Sequence, residues 1–457
     1  MVRTTEHCRG GVGEGVLMTD RPAAVPAERV RTLLEEAGLS RRGPSLVVGE
    51  LSLTEIAERV GTPAYVYNLA VVRERYRALD RALAGVPHRI CFAIKANGNL
   101  GVLRALSDLG AGADIVSGGE QARALEAGFS PDRIVFSGVG KSDAELEAAV
   151  DAGVGHVHLE SVAELDALAA IAERRDRAMR VGIRVNPDVT ADTHPYIATG
   201  RGGIKFGVPF DQVLPLAIDA SRRRLLTLDT IAMHLGSQLL DLRPYREGLA
   251  RLLELVAGLR KAGVDSLRAL DIGGGLGIRY RDEETLTPAA LADLLVPAVR
   301  ETGLELVLEP GRFLVGTAGI LITQVLSRKH SGGKDLVIVD AGMNDLVRPS
   351  HYQAYHELVE LEARGGRTGA VDVVGPVCET GDFLALDREL PALERGDRLA
   401  VLGAGAYGFV MSSNYNSRPR AAEAIIDGDR WWISRRRETI GDLFTGERAT
   451  SERADSA

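Results

Sequence analysis

The stretch Arg89-Ile90-Cys91-Phe92-Ala93-Ile94-Lys95-Ala96-Asn97 decides the fold. It is a short, almost wholly apolar run with a single lysine near its end, and a run of that length bounded by polar residues reads as a buried strand. Seven more runs rich in Val, Ile and Leu follow, at residues 113–117, 134–137, 156–160, 179–186, 228–234, 270–273 and 304–309, with 89–96 as the first. Amphipathic segments of helical period lie between them. The first five are about 21–25 residues apart, close to the least that a strand, a helix and two short loops need. Eight such units within about 250 residues imply a closed (β/α)8 TIM-type barrel.

Working outward, residues 53–60 read as a helix, with Ser52 and Glu55 spaced as a capping box and Gly61 as its stop. Residues 64–67 read as a strand that precedes the barrel. Beyond Arg312 the alternation changes: 313–328, 335–340, 371–377 and 399–402 read as strands with few helices between them. Residues 424–426 and 431–434 flank Asp427-Gly428-Asp429, a hairpin signal. The expected organisation is α/β plus all-β. It has a variable N-terminal extension over 1–44, a segment joining the β domain over 45–67, the barrel over 68–315, a C-terminal β-sandwich or β-barrel domain over 316–447, and a frayed tail over 448–457.

Composition limits the function. The 55 Lys and Arg against 63 Asp and Glu leave a formal charge of −8, which argues against general affinity for nucleic acid or anionic membrane. Small molecules are the expected partners. Cys8, Cys91 and Cys378 are odd in number and far apart; they form no disulfide framework and no metal-ligand spacing, which suits a reducing cytoplasm and a site without metal. No apolar run approaches the roughly 20 residues that cross a bilayer.

In such a barrel the chemistry gathers at the carboxyl ends of the strands. There the sequence offers Lys95, then Asp114 and Ser117, then His234 to Gln238 with Ser237, then Asp271 to Gly275, then Glu309-Pro310-Gly311-Arg312. Lys95 is one of only six lysines in a chain rich in arginine. It reads either as a snorkelling or ion-paired lysine or as a Schiff-base nucleophile, for which burial would lower its pKa. The Gly273-Gly274-Gly275 run reads as a tight turn or as a phosphate cradle, where backbone N–H groups approach an anion without an intervening Cβ. Glu309 could bind a metal, pair with an arginine or hold a pyridine nitrogen protonated. His234 is a ring-stacking residue or a satisfied structural histidine. A lysine, a phosphate cradle and a carboxylate together describe pyridoxal 5'-phosphate.

With those residues in view, the chain resembles the fold-type III pyridoxal phosphate decarboxylases. The motifs are Phe92 to Asn97, His194-Pro195-Tyr196-Ile197, Lys205-Phe206-Gly207, His234 to Gln238, Asp271 to Gly275, Glu309 to Arg312, Met343 to Pro349, Gly375 to Asp382 and Gly403 to Arg420. Phe92 stands where the family commonly has Tyr. The resemblance implies that Lys95 carries the cofactor, with Asp114, His234, Ser237, Gly274, Gly275, Glu309, Gly311, Arg312 and Tyr407 around it. It also implies a homodimer with shared active sites, in which Cys378 and Glu379 enter the partner's barrel and Cys378 acts as a proton donor.

The implied substrate is an amino acid with a second amino acid head. Arg312 and Arg348 offer forks for its carboxylate, Glu379 an acceptor for its ammonium, and Tyr352 and Tyr407 hydroxyls. Each charge-assisted contact would contribute about 1.5–3 kcal/mol. The alternative for these groups is inter-domain ion pairing. Rival readings are a sister decarboxylase acting on ornithine, lysine or arginine, and a catalytically inactive relative that only binds.

Overall fold

The computed structural model describes residues 27–189 and 205–447. The His194 to Ile197 motif, the tail over 448–457 and most of the N-terminal extension lie outside them.

Eight parallel strands close the barrel: His88–Ala93, Gly112–Ile115, Ile134–Phe136, His156–Leu159, Met179–Asn186, Leu226–Met233, Ala269–Asp271 and Glu305–Leu308. The last returns to the first, with Leu306 opposite His88 and Leu308 opposite Ile90. A two-residue strand, Val208–Pro209, adds to the edge of the fifth. Both faces of these strands are covered, which is why they read as continuous apolar runs rather than alternating ones. Ser142 and Glu145 form a complete capping box on the helix Asp143–Ala152, whereas Ser52 and Glu55 form only one half of theirs, the Glu55 N–H donating to the Ser52 hydroxyl.

Two corrections concern element ends. The first strand stops at Ala93, and Ile94–Ala96 form a 3-10 turn, so Lys95 sits on the turn above the strand rather than within it. The run read as one strand from 313 begins as a helical turn, Arg312–Val315; the strand itself is Gly319–Ser331.

That long strand organises the second sheet. It pairs antiparallel with Lys334–Val339, Arg398–Val401 and Ala64–Asn68. Thr368–Val374 and Phe383–Pro391 extend one side, and Ala422–Asp427 with Arg430–Arg435 the other. The last two form the expected hairpin, Asp427 facing Arg430. Ala64–Asn68 is thus a strand of the β domain that leads straight into the barrel's first flanking helix, Leu69–Leu83.

The N-terminal extension is folded from Ala27 onward. Ala27–Glu36 is a helix, and Ser40–Arg42 and Ser45–Val48 form an antiparallel pair. Leu33, Leu34, Ala37 and Leu39 bury against Ile320, Ile322 and Ala424 of the β domain. Burial of several apolar side chains, each stabilising by about 1.5–3 kcal/mol, is the reason; Val30, Leu33, Leu34 and Ala37 recur at helical spacing and form the covered stripe, so this part of the extension is a folded element rather than a variable one.

Candidate active site

The carboxyl ends of the barrel strands surround a cavity of about 370 Å³ lined by Lys95, His234 and Glu309. The turn after the first strand raises Lys95 into it, and its Nζ donates to Asp114 Oδ2 of the second strand at 2.7 Å. Asp114 is fully buried, while Lys95 keeps 35% of its side-chain surface accessible. Burial alone would lower the amine's pKa, but the carboxylates of Asp114 and Glu309 outweigh it, and the amine is held above its ordinary value. The expectation of a pKa lowered by burial is therefore corrected: burial is the largest single influence, but Asp114, Glu309 and Tyr407 together outweigh it.

Glu309 is buried, and its carboxyl is pushed well above the usual range by burial and by the nearby Asp114 and Asp271. Asp271, fully buried, is pushed up to about 7, also chiefly by burial, although the Gly273 N–H donates to it at 2.7 Å. The Ser137 hydroxyl donates to Glu309 Oε1 at 3.5 Å, and His158 Nδ1 lies 3.9 Å from the same oxygen. His158, Asp271 and Glu309 bring donor atoms within 4.8 Å of one another. Gly182, on the fifth strand, leaves room for this: a Cβ there would lie 2.5 Å from the His158 ring.

His234 Nδ1 accepts the Gly274 N–H at 3.2 Å, which puts any proton of the neutral ring on Nε2. Burial, then the charges of Lys95 and Arg184, drive its pKa well below the ordinary value. Its ring is therefore neutral where it meets the cavity.

The loops after strands six to eight pack backbone against backbone. A Cβ on Gly274 would lie 2.3 Å from the Glu309 carbonyl oxygen, one on Gly275 (φ +103°) 2.9 Å from that of Gly236, and one on Gly311 2.9 Å from Ala96 Cβ. Beside them Arg312 donates to Ser237 Oγ at 3.0 Å and to Tyr280 Oη at 2.5 Å. Its guanidinium lies 4.9 Å from the Tyr407 ring centroid, and its buried Nε has no partner among the described residues. Tyr407 is held in a left-handed conformation, φ 56°, with its N–H on the Ala96 carbonyl at 2.8 Å, so this aromatic is tied to the lysine turn. A buried arginine with an unpartnered donor, a hydroxyl and a glycine cradle fit a phosphate, and Glu309 and Lys95 fit a pyridine ring carrying an aldehyde.

Arg348 is joined to this group through Tyr280, its guanidinium 4.6 Å from that ring centroid. It also donates to His356 Nε2 at 2.8 Å, while His356 Nδ1–H donates to the Leu402 carbonyl at 2.8 Å. Tyr352 ends the helical turn Arg348–Tyr352 that Arg348 begins. Cys378 and Glu379 are exposed, and the Cys378 N–H donates to Asn416 Oδ1 at 2.7 Å. Neither lines the cavity of its own chain.

Ser137, His158 and Arg184 also line the cavity without having been singled out as site residues in the sequence, together with Phe206 of the Lys205-Phe206-Gly207 motif. The first three end or lie within strands three, four and five, so the strand-end rule identifies them when applied to all eight strands. Arg184 stacks on Phe206, 4.9 Å from its centroid, and pairs with Glu160 Oε1 at 2.9 Å.

The sequence model described as "Pyridoxal-dependent decarboxylase, pyridoxal binding domain" matches residues 69–316. The diaminopimelate decarboxylase of Pseudomonas fluorescens is 50% identical over 411 residues, which are 89% of this chain and 97% of that protein. That of Aquifex aeolicus is 48% identical over 88% of this chain and 95% of its own length. The crystal structure of diaminopimelate decarboxylase from Helicobacter pylori complexed with L-lysine superposes with a TM-score of 0.83 at 41% identity, covering 86% of this chain and 98% of that one. With a lysine facing the cavity, a carboxyl cluster and a glycine cradle at one barrel mouth, this chain belongs to the pyridoxal-dependent decarboxylases, in the family of the diaminopimelate decarboxylases.

Proposed function

We propose that this protein decarboxylates meso-2,6-diaminopimelate to L-lysine and CO2 with pyridoxal 5'-phosphate as cofactor, the last step of lysine biosynthesis, in the cytoplasm and as a homodimer with shared active sites. The observation that carries the reading is the convergence of Lys95, Asp114, Glu309 and Arg312 at one barrel mouth, in a chain 50% identical to a diaminopimelate decarboxylase.

When bound, the cofactor supplies an electron sink conjugated to the substrate's α carbon. Lys95 would hold it covalently through Nζ, with Asp114 orienting that nitrogen through its hydrogen bond. Glu309, a carboxyl with a raised pKa, would hold a proton at the pyridine nitrogen. His234, neutral, offers a flat face to the ring. Ser237, Gly274, Gly275, Gly311 and Arg312 would receive the phosphate, and Tyr407 would close the side facing Arg312.

Substrate selection rests on the distal amino acid head. Arg348 would add a planar fork to that of Arg312 on a carboxylate, and Tyr352 a hydroxyl. Glu379 would accept the distal ammonium, and Cys378 Sγ would deliver the proton that replaces CO2. Because both are exposed on their own chain, each serves a site completed by a second copy. Mixing Lys95→Ala with Cys378→Ala protein tests this directly. Shared sites predict recovery of activity from two inactive preparations, approaching a quarter of native in a statistical mixture of dimers; no recovery after confirmed subunit exchange rules them out. Arg348→Lys should raise KM for diaminopimelate about tenfold or more, through loss of one bidentate contact, while kcat changes less.

A further inference from the structure

A second cavity, of about 300 Å³, opens on the β domain, away from Lys95. Arg281 and Arg388 converge there on Tyr355, their guanidinium carbons 5.3 and 3.4 Å from its ring centroid. Among the described residues neither arginine forms an ion pair, and buried donors on both, Arg281 Nε and Arg388 Nη1, have no partner. One acid of the lining, Glu357, is already engaged: Oε2 accepts the Tyr355 hydroxyl at 2.6 Å and Oε1 the Leu358 N–H at 3.1 Å. Leaving guanidinium donors buried and unmatched is costly, and an oxyanion relieves that cost through paired N–H bonds.

The walls narrow the choice of anion. Val30, Leu358, Leu390 and Pro391 line the same cavity and suit a short hydrocarbon stem. Glu357, Glu360, Asp387 and Glu389 line it against Arg41, Arg281 and Arg388, so a multiply charged anion such as phosphate is repelled more strongly than a single carboxylate seated on the two unpaired arginines. We propose that this cavity is a binding site for a small organic monocarboxylate, its carboxylate on Arg281 and Arg388 and its apolar stem on the neighbouring aliphatic side chains. The site adjoins the catalytic wall, since Arg281 follows Tyr280, which accepts the hydrogen bond of Arg312.

The test is calorimetric titration of the pyridoxal phosphate-loaded protein with hexanoate, with inorganic phosphate in a parallel arm. The expected result is a hexanoate site in native protein and in Arg348→Met, weakened at least tenfold in Arg388→Met and in Arg281→Met, with phosphate binding it poorly. Melting curves confirm that each variant is folded, and Arg388→Lys replaces any that is not, with the same weakening expected from loss of the planar fork. Unchanged hexanoate binding in the folded cavity variants, loss of it in Arg348→Met, or phosphate binding as tight as hexanoate would each overturn the proposal.

Discussion

Lys95 Nζ and Asp114 Oδ2 lie 2.7 Å apart across the first two barrel strands, one group open to the cavity and the other wholly enclosed. A carboxylate with no exposed surface is unscreened by water, and with Glu309 and Tyr407 beside it the combined attraction outweighs burial, the largest single influence, and holds the lysine's charged form. Asp114→Asn removes that charge, and the amine's pKa should fall. Covalent capture of pyridoxal phosphate, followed by absorbance, should then set in at lower pH than in native protein, by a unit or more, each unit being about 1.4 kcal/mol. After borohydride reduction, native protein should retain the cofactor through denaturation and Lys95→Ala should retain none, with turnover cut by about 10³-fold or more.

Backbone packing at the glycine loop gives a prediction of opposite signs. Gly274→Ala forces a Cβ against the Glu309 carbonyl, 2.3 Å away, and should cost about 1–3 kcal/mol of stability together with much of the cofactor affinity. Gly258 lies within the helix Arg243–Lys261 with nothing within 4 Å of its Cβ position. Gly258→Ala should stabilise by about 0.5–1 kcal/mol. Urea titrations of the two variants check both signs.

Glu160 fastens the wall of the cavity. Its carboxylate accepts the Gly138 N–H at 3.1 Å, the Gly207 N–H at 2.7 Å and the Arg184 guanidinium at 2.9 Å. Glu160→Gln should leave a buried arginine uncompensated and destabilise by about 3–5 kcal/mol. Fluorescence-monitored denaturation should show it as a lower midpoint with little change in slope.

Asp345 is pushed up to about 7, mainly by burial, and its Oδ1 has no partner. A carboxyl whose pKa is raised on folding binds more protons in the native state, so its contribution is fully present below about pH 4 and is lost as pH rises through 7. Asp345→Asn should therefore flatten the stability profile over that window by up to about 1.4 kcal/mol per pH unit. Melting temperatures of native and variant protein from pH 4 to 8 give the comparison.

The barrel was legible because eight enclosed strands leave eight apolar runs, and position at the strand ends singled out Lys95, Asp114, His234 and Glu309, which gather at one cavity; Tyr407, Cys378 and Glu379 entered only through the resemblance. What escaped has physical reasons. Lys95 stands on a 3-10 turn because three residues of such a turn look like the end of an apolar strand. Ser137, His158 and Arg184 are ordinary residues in sequence, and become part of the site only when Gly182 makes room and Glu160 holds Arg184. The second cavity joins Val30, Arg281, Tyr355 and Arg388, which no local pattern links. Cys378 and Glu379 are exposed on their own chain; the role proposed for them came from the resemblance and not from their spacing.

The most direct measurement of the central claim is lysine and CO2 release by the pyridoxal phosphate-loaded protein from meso-diaminopimelate, with ornithine, lysine and arginine as competing substrates. The account predicts stoichiometric lysine and CO2 from diaminopimelate, with kcat/KM at least about a hundredfold above the others, the discrimination that two charge-assisted contacts to the distal head provide. Preferential decarboxylation of ornithine, lysine or arginine, or no CO2 release from cofactor-loaded protein, would contradict it.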